Sequence, residues 1–169
     1  ALFAGALADD YAPDLDLVGV AAIAPATDLA ETIAAMQGTL GGKLITSLAA
    51  YAWSRTYPGI SFADAIVDPA ERVARVVATS CLVASEAGLA ALAARLLPGA
   101  LLELDPLTDA RWRPLLDLNS ATAPVDAPLL VVQGTADEVI RPSITEANVA
   151  GRCRRGDVVA DRGDQGGPG

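Results

Sequence analysis

Two short apolar runs, residues 17–24 (LVGVAAIA) and 129–133 (LLVVQ), narrow the folds open to this chain more than anything else in it. Each is rich in Val, Ile or Leu and is bounded by proline. Each is also too short for a buried helix, so each reads as a strand covered on both faces, the pattern of a parallel sheet. Parallel neighbours cannot be joined by a hairpin and need a long crossover. The stretch between the two runs carries helical spacing and no further strand signal. The reading is an α/β sheet with a mostly helical insertion between two of its strands.

The helices can be placed from their periodicity and their stops. Residues 1–11 read as one helix ending before Pro13, because the residue preceding a proline is steered out of helical geometry. Asp28 and Glu31 form a capping-box pattern, with Leu29, Ile33, Met36 and Leu40 on one face. Gly41-Gly42 is expected to break that helix, and Leu44, Leu48 and Ala52 line the next. Asp68-Pro69-Ala70-Glu71 is a helix start, with Val73, Val76 and Val77 as the apolar face behind it. An Ala/Leu helix over 85–97 is closed by Pro98-Gly99, and a last helix runs from Pro142 to about Val149. Val158-Val159 is the centre of a possible final strand. The division is body over 1–27, helical cap over 28–124, body again over 125–159, and an irregular tail over 160–169. Trp112, on the approach to residues 129–133, is expected to pack the insertion onto the body.

Composition excludes several classes. Apolar residues make up 52% of the chain, enough for a core, with only 4% aromatic. A net charge of −9 and a pI near 4.3 oppose electrostatic binding to nucleic acid or anionic membranes. No run reaches the roughly 18 apolar residues of a membrane span, and residues 88–104 are interrupted by Arg95 and Pro98. Stable membrane insertion is not expected. The chain opens on what reads as the inside of a helix, without Met, so an amino-terminal piece is expected to be missing. Cys81 and Cys153 lack metal-ligand spacing, and each reads as a buried thiol or half of one disulfide. No metal or cofactor is expected.

The chemistry concentrates at Asp137. A strand, Gly134, and then a carboxylate is an arrangement that places an acid at the carboxyl edge of a sheet, where α/β proteins build their sites. Serine hydrolases need such an acid to orient a histidine. Asp and Gly are also ordinary turn residues. The chain has no histidine. None of Ser47, Ser54, Ser61, Ser80, Ser85, Ser120 and Ser143 stands in a G-x-S-x-G elbow. Gly41-Gly42-Lys43 lacks the rest of a phosphate loop. Asp9-Asp10 reads as a solvated helix end and Asp14-Leu-Asp16 as loop.

The residues together resemble the secretory lipase family of capped α/β-hydrolases found in actinobacteria and yeasts. The resemblance rests on Ala1-Leu-Phe-Ala-Gly5 with Tyr11-Ala-Pro-Asp-Leu-Asp-Leu-Val-Gly-Val20, and on Ala24-Pro-Ala-Thr-Asp28-Leu. It continues in Trp112 with Leu115, Leu116 and Asn119, and in Ala127-Pro-Leu-Leu-Val-Val-Gln-Gly-Thr-Ala-Asp-Glu-Val-Ile140. It covers roughly residues 1 to 159. It implies secretion, hydrolysis of carboxylic esters such as triacylglycerols, and Asp137 as the triad acid. It also implies that the nucleophilic serine lies just upstream of Ala1. The family histidine follows the last strand, where this chain has Asp164-Gln165-Gly166-Gly167. Gln165 cannot act as a base, because an amide does not titrate near neutral pH. Such a chain is expected to be inactive alone. Two other readings stand beside this one. One is a different capped α/β-hydrolase, an acyl esterase or a peptidase. The other is a non-catalytic helical interaction module, which predicts no parallel strand at 129–133.

Overall fold

The computed structural model describes residues 1–80 and 84–164. It contains α1 (Leu2–Ala6), α2 (Ala8–Tyr11), β1 (Val20–Ile23), α3 (Leu29–Met36), α4 (Leu40–Thr56) and α5 (Phe62–Ala65). These are followed by α6 (Glu71–Thr79), α7 (Ala84–Arg95), α8 (Arg113–Leu118), β2 (Leu129–Gly134), α9 (Pro142–Arg155) and β3 (Val159–Asp164). The chain forms two compact units. One is Ala1–Thr32 with the segment from Asp117 onward, and the other is Ile33–Leu116. The helical unit thus starts and ends inside helices α3 and α8.

The first unit is built on a parallel sheet in the order β1-β2-β3. Val20 pairs with Leu129 and Ile23 with Val132; on the other side Leu129 pairs with Val159 and Gly134 with Asp164. The strand at 129–133 is therefore present and central. Its burial alternates, with Leu129, Val131 and Gln133 buried and Leu130 37% exposed. This departs from the expectation of strands covered on both faces. Leu2 of α1 and Thr145 of α9 come to the face shared by Ala22, Leu129 and Gln133. The other face, carrying Ile23 at 78% exposure, is left open among the described residues. Gly5 sets the approach of α1 to β1, since a Cβ there would lie 2.7 Å from Val20 Cγ2.

The irregular tail expected over 160–169 is not found at residues 160–164. Residues 160–164 continue the ladder along β2. Backbone pairing holds this edge strand, so its side chains need not be apolar, and the sequence pattern carries no sign of it. Gln165, Gly166 and Gly167 lie outside the described residues. The helix from Pro142 also runs further than expected, to Arg155, and closes on Gly156 in left-handed geometry (φ +96°). Its last turns are held by a charge: Arg152, only 1% exposed, donates to the Ala121 and Ala123 carbonyls at 2.7 and 3.1 Å and pairs with Asp157. A buried arginine breaks the apolar rhythm by which a sequence marks a helix face.

Residues 1–11 form two short helices, with the exposed Leu7 between them. In the α3–α4 region the break falls at Gly38 (φ +75°), not at Gly41-Gly42. Thr39 caps α4, its hydroxyl accepting the Gly42 N–H at 3.0 Å. Asp28 accepts the Glu31 N–H at 3.0 Å, which is the expected cap of α3. Ahead of α6 the Asp68–Pro69 peptide is cis and the helix starts at Glu71, without a side-chain cap. Its buried face is Ala74 and Val77, while Val76 is 46% exposed.

In the helical unit α4 packs against α6 and α7. Trp53 and Trp112 meet at 5.3 Å between ring centroids, with Tyr57 edge-on to Trp53. Trp112 therefore belongs to this unit's own aromatic core. Aromatic rings are the largest apolar surfaces available, and Tyr51 with Phe62 adds a second edge-on pair to this unit.

Candidate active site

The carboxyl edge of the sheet holds the one acidic turn that the sequence singles out. β2 ends at Gly134, and the Asp137 N–H donates back to the Gly134 carbonyl at 3.2 Å, closing a turn. Asp137 then folds its carboxylate over the chain that follows. Oδ1 accepts the N–H groups of Val139 and Ile140, each at 2.9 Å. Oδ2 accepts the side-chain amide of Gln133 at 3.1 Å. A carboxylate offers about four acceptor positions. These three bonds take Oδ1 twice and Oδ2 once, so the half-buried side chain keeps acceptor capacity on Oδ2.

Gln133 is the residue that the sequence reading passed over. It sits on the buried face of β2, 4% exposed, where the alternation through Leu129 and Val131 calls for an apolar side chain. That misfit is the signal that could have found it. Its Nε2 also donates to the Ile140 carbonyl at 3.1 Å, and its Oε1 accepts the Thr145 hydroxyl of α9 at 2.8 Å. Strand, acid turn and following helix are thereby tied through a single amide.

The neighbouring strands end at the same edge. β1 gives way to Ala24, a non-glycine residue with φ +45°, and then to Pro25. Side chains larger than glycine rarely hold that geometry, and such strain gathers near functional sites. β3 ends with Asp164 paired to Gly134, three residues before the acid.

The serines are accounted for locally. Ser47, Ser54 and Ser80 donate to carbonyls of their own helices, at Lys43, Tyr51 and Val76. Ser61 caps α5, Ser120 accepts the Leu29 N–H at 2.9 Å, and Ser143 lies in the first turn of α9. The Ser85 side chain and Cys81 lie outside the described residues. Cys153 is exposed and free, which corrects its reading as a buried thiol or half of one disulfide. Asp9 and Asp10 are exposed in α2, as their reading as a solvated helix end requires. Among the described residues no group of three or more His, Cys, Asp or Glu side chains is placed to hold a metal ion. None of their helices is long and apolar enough to cross a membrane.

The helical unit carries a separate feature. A groove of about 670 Å³ opens between α3, the start of α4 and the segment from Gly99 to Pro106. Ile33, Met36, Ile45, Leu101 and Leu104 line it, with Lys43 and Asp105 as charged members. The Lys43 ammonium is tied to the Leu97 carbonyl at 2.7 Å.

Comparison with known proteins fits this arrangement. No curated protein sequence matches the chain significantly. Among solved structures, Candida antarctica lipase A superposes with a TM-score of 0.76 at 17% identity, over 95% of this chain and 39% of that one. The rice cell wall degrading esterase LipA of Xanthomonas oryzae superposes with a TM-score of 0.79 at 17% identity, over 99% of this chain and 48% of that one. The chain thus spans less than half the length of either structure. At such identities the likeness shows the fold, part of an α/β-hydrolase. The model of the secretory lipase family matches residues 1–160, and with nearly its whole length matched on that fold the chain belongs to the secretory lipase family.

Proposed function

We propose that the protein is a secreted serine hydrolase of carboxylic esters, acting on triacylglycerols and other lipid esters, and that Asp137 is its triad acid. In this reaction a serine oxygen attacks the ester carbonyl and a histidine takes the serine proton. The acid holds the imidazole in the right tautomer and stabilises its charged form. The observation that carries the reading is the Asp137 carboxylate, held on Oδ1 by two turn amides and presenting Oδ2 at the sheet's carboxyl edge. An acid so held costs little to reorganise when the imidazolium forms.

These 169 residues contain no histidine, and their described serine side chains sit in helices, caps and turns. The groove lined by Met36, Ile45 and Leu101 is the acyl-binding wall in this reading, since apolar surface of that size matches the aliphatic part of a lipid ester. The acidic net charge fits an uncharged substrate better than a polyanion.

Two preparations test the proposal: the protein expressed from its complete coding sequence, and the 169-residue segment alone. The first is expected to hydrolyse a short-chain nitrophenyl ester and to lose that activity to a fluorophosphonate. The second is expected to show no fluorophosphonate-sensitive turnover. Turnover by the segment alone, or none by the complete protein, overturns it.

A further inference from the structure

We infer that Gln133 is a positioning residue for the triad acid, fixing which edge of the Asp137 carboxylate is offered to the histidine. This rests on the reading of Asp137 as that acid. The geometry leaves the amide no alternative orientation. Asp137 Oδ2 and the Ile140 carbonyl can only accept, so the nitrogen must face them, and both lie at 3.1 Å. The opposite end of the amide is then an oxygen, and it meets the Thr145 hydroxyl at 2.8 Å. Gln133 is 4% exposed and Thr145 1%, so water does not compete for these bonds. The amide is clamped from α9 at one end and presses its N–H on the acid at the other.

The consequence is directional. The turn amides of Val139 and Ile140 hold Oδ1 but leave rotation of the carboxylate about its own axis weakly specified. The Gln133 N–H occupies one side of Oδ2 and leaves the other to an imidazole N–H. A triad acid must sit within a fraction of an ångström of its productive place, and it does so when a locked neighbour holds it. Thr145 completes the chain of contacts, so the order of α9 is read directly at the acid.

A kinetic cycle on the protein expressed from its complete coding sequence tests this. Gln133→Leu keeps the side-chain bulk and removes the amide. It is expected to lower kcat by about 10- to 100-fold with KM within about twofold, as for a group whose interaction matters chiefly in the transition state. The same change in an Asp137→Ala background is expected to alter kcat by less than about threefold, because the carboxylate it positions is gone. A purely structural role predicts the same loss in both backgrounds, and that result overturns the inference. So does a kcat for Gln133→Leu within about twofold of the parent. Should Gln133→Leu not fold, Thr145→Val takes its place in both backgrounds, with Thr145→Ser restoring kcat. If Asp137→Ala alone costs less than about tenfold, the assignment of the triad acid fails, and the positioning role falls with it.

Discussion

Arg152 Nη1 lies 3.1 Å from Asp157 Oδ2, with both side chains almost wholly out of water, at 1% and 8% exposure. The guanidinium also serves the Ala121 and Ala123 carbonyls and Asn148 Oδ1, so one side chain joins the end of α9, the turn behind it and the segment leading into β2. Removing one partner of a buried pair costs about 3–5 kcal/mol when the other charge is left alone, and here Asp157 would keep only the half-exposed Arg155 at 3.9 Å. Arg152→Met is therefore expected to lower the unfolding free energy of the complete protein, read from urea denaturation, by up to that much. Arg152→Lys should recover little, because an ammonium cannot fork to carbonyls on two sides. A loss for Arg152→Met below about 1 kcal/mol contradicts this account.

Gly42 and Gly38 make a paired prediction, since they are glycines for different reasons. A Cβ at Gly42 would stand 2.0 Å from the Met36 carbonyl oxygen, a backbone atom that cannot swing away. Gly38 has open space around it but a φ of +75°. Gly42→Ala is expected to cost about 1–3 kcal/mol or more through overpacking at the α3–α4 junction. Gly38→Ala should cost about 1 kcal/mol, from conformation alone. Thermal melts of the two variants should rank in that order, and the reverse order is incompatible with the observed packing.

Trp112 and Trp53 test the aromatic core of the helical unit. Trp112 is 2% exposed and Trp53 7%, so Trp112→Ala is expected to destabilise by about 3–5 kcal/mol, measurable as a fall in the melting temperature. The turn that delivers Trp112 is closed by Asp109, whose Oδ1 accepts the N–H groups of Arg111 and Trp112 at 2.9 and 3.2 Å. The Arg111 backbone bond, with Arg111's side chain behind it, holds the Asp109 carboxyl below its ordinary value of 3.8. A lowered folded-state pKa stabilises above the ordinary value, and the contribution fades as pH falls through the lower one. Asp109→Asn removes that contribution, so any loss of stability should be present at pH 7 and should vanish as pH falls below the lowered value, leaving a flatter acid side of the stability curve.

What the sequence makes legible follows the strength of each local signal. The strands at 20–23 and 129–134 and the turn to Asp137 stand out because buried apolar runs and glycine turns leave plain marks. α9 is harder to read, because its end is anchored by the buried Arg152 and arginine usually marks a surface. β3 is marked only at its start, since an edge strand is held by backbone pairing. The break at Gly38 was hidden by the more conspicuous Gly41-Gly42, whose second glycine serves close packing inside α4. Gln133 was visible as a polar residue on an apolar face, but only the structure gives it the Asp137, Ile140 and Thr145 partners that explain it.

The groove in the helical unit leads to the last prediction, which bears on substrate choice. Thr46 of α4 lines it, beside Ile45, Met36 and Leu101. If those residues bind the acyl chain, each methylene buried there contributes about 0.8 kcal/mol. Extending an ester from four to eight carbons then adds four methylenes, or about 3 kcal/mol, so kcat/KM should rise by roughly two orders of magnitude over that range. Thr46→Trp places an indole in the groove. It should erase most of that rise and leave the four-carbon ester within about threefold of the parent, because the short chain needs little of the groove. A series of nitrophenyl esters of increasing length, run on parent and variant, separates the outcomes. Parallel chain-length profiles, with both enzymes equally fast on the long esters, would show that the groove holds no part of the acyl chain.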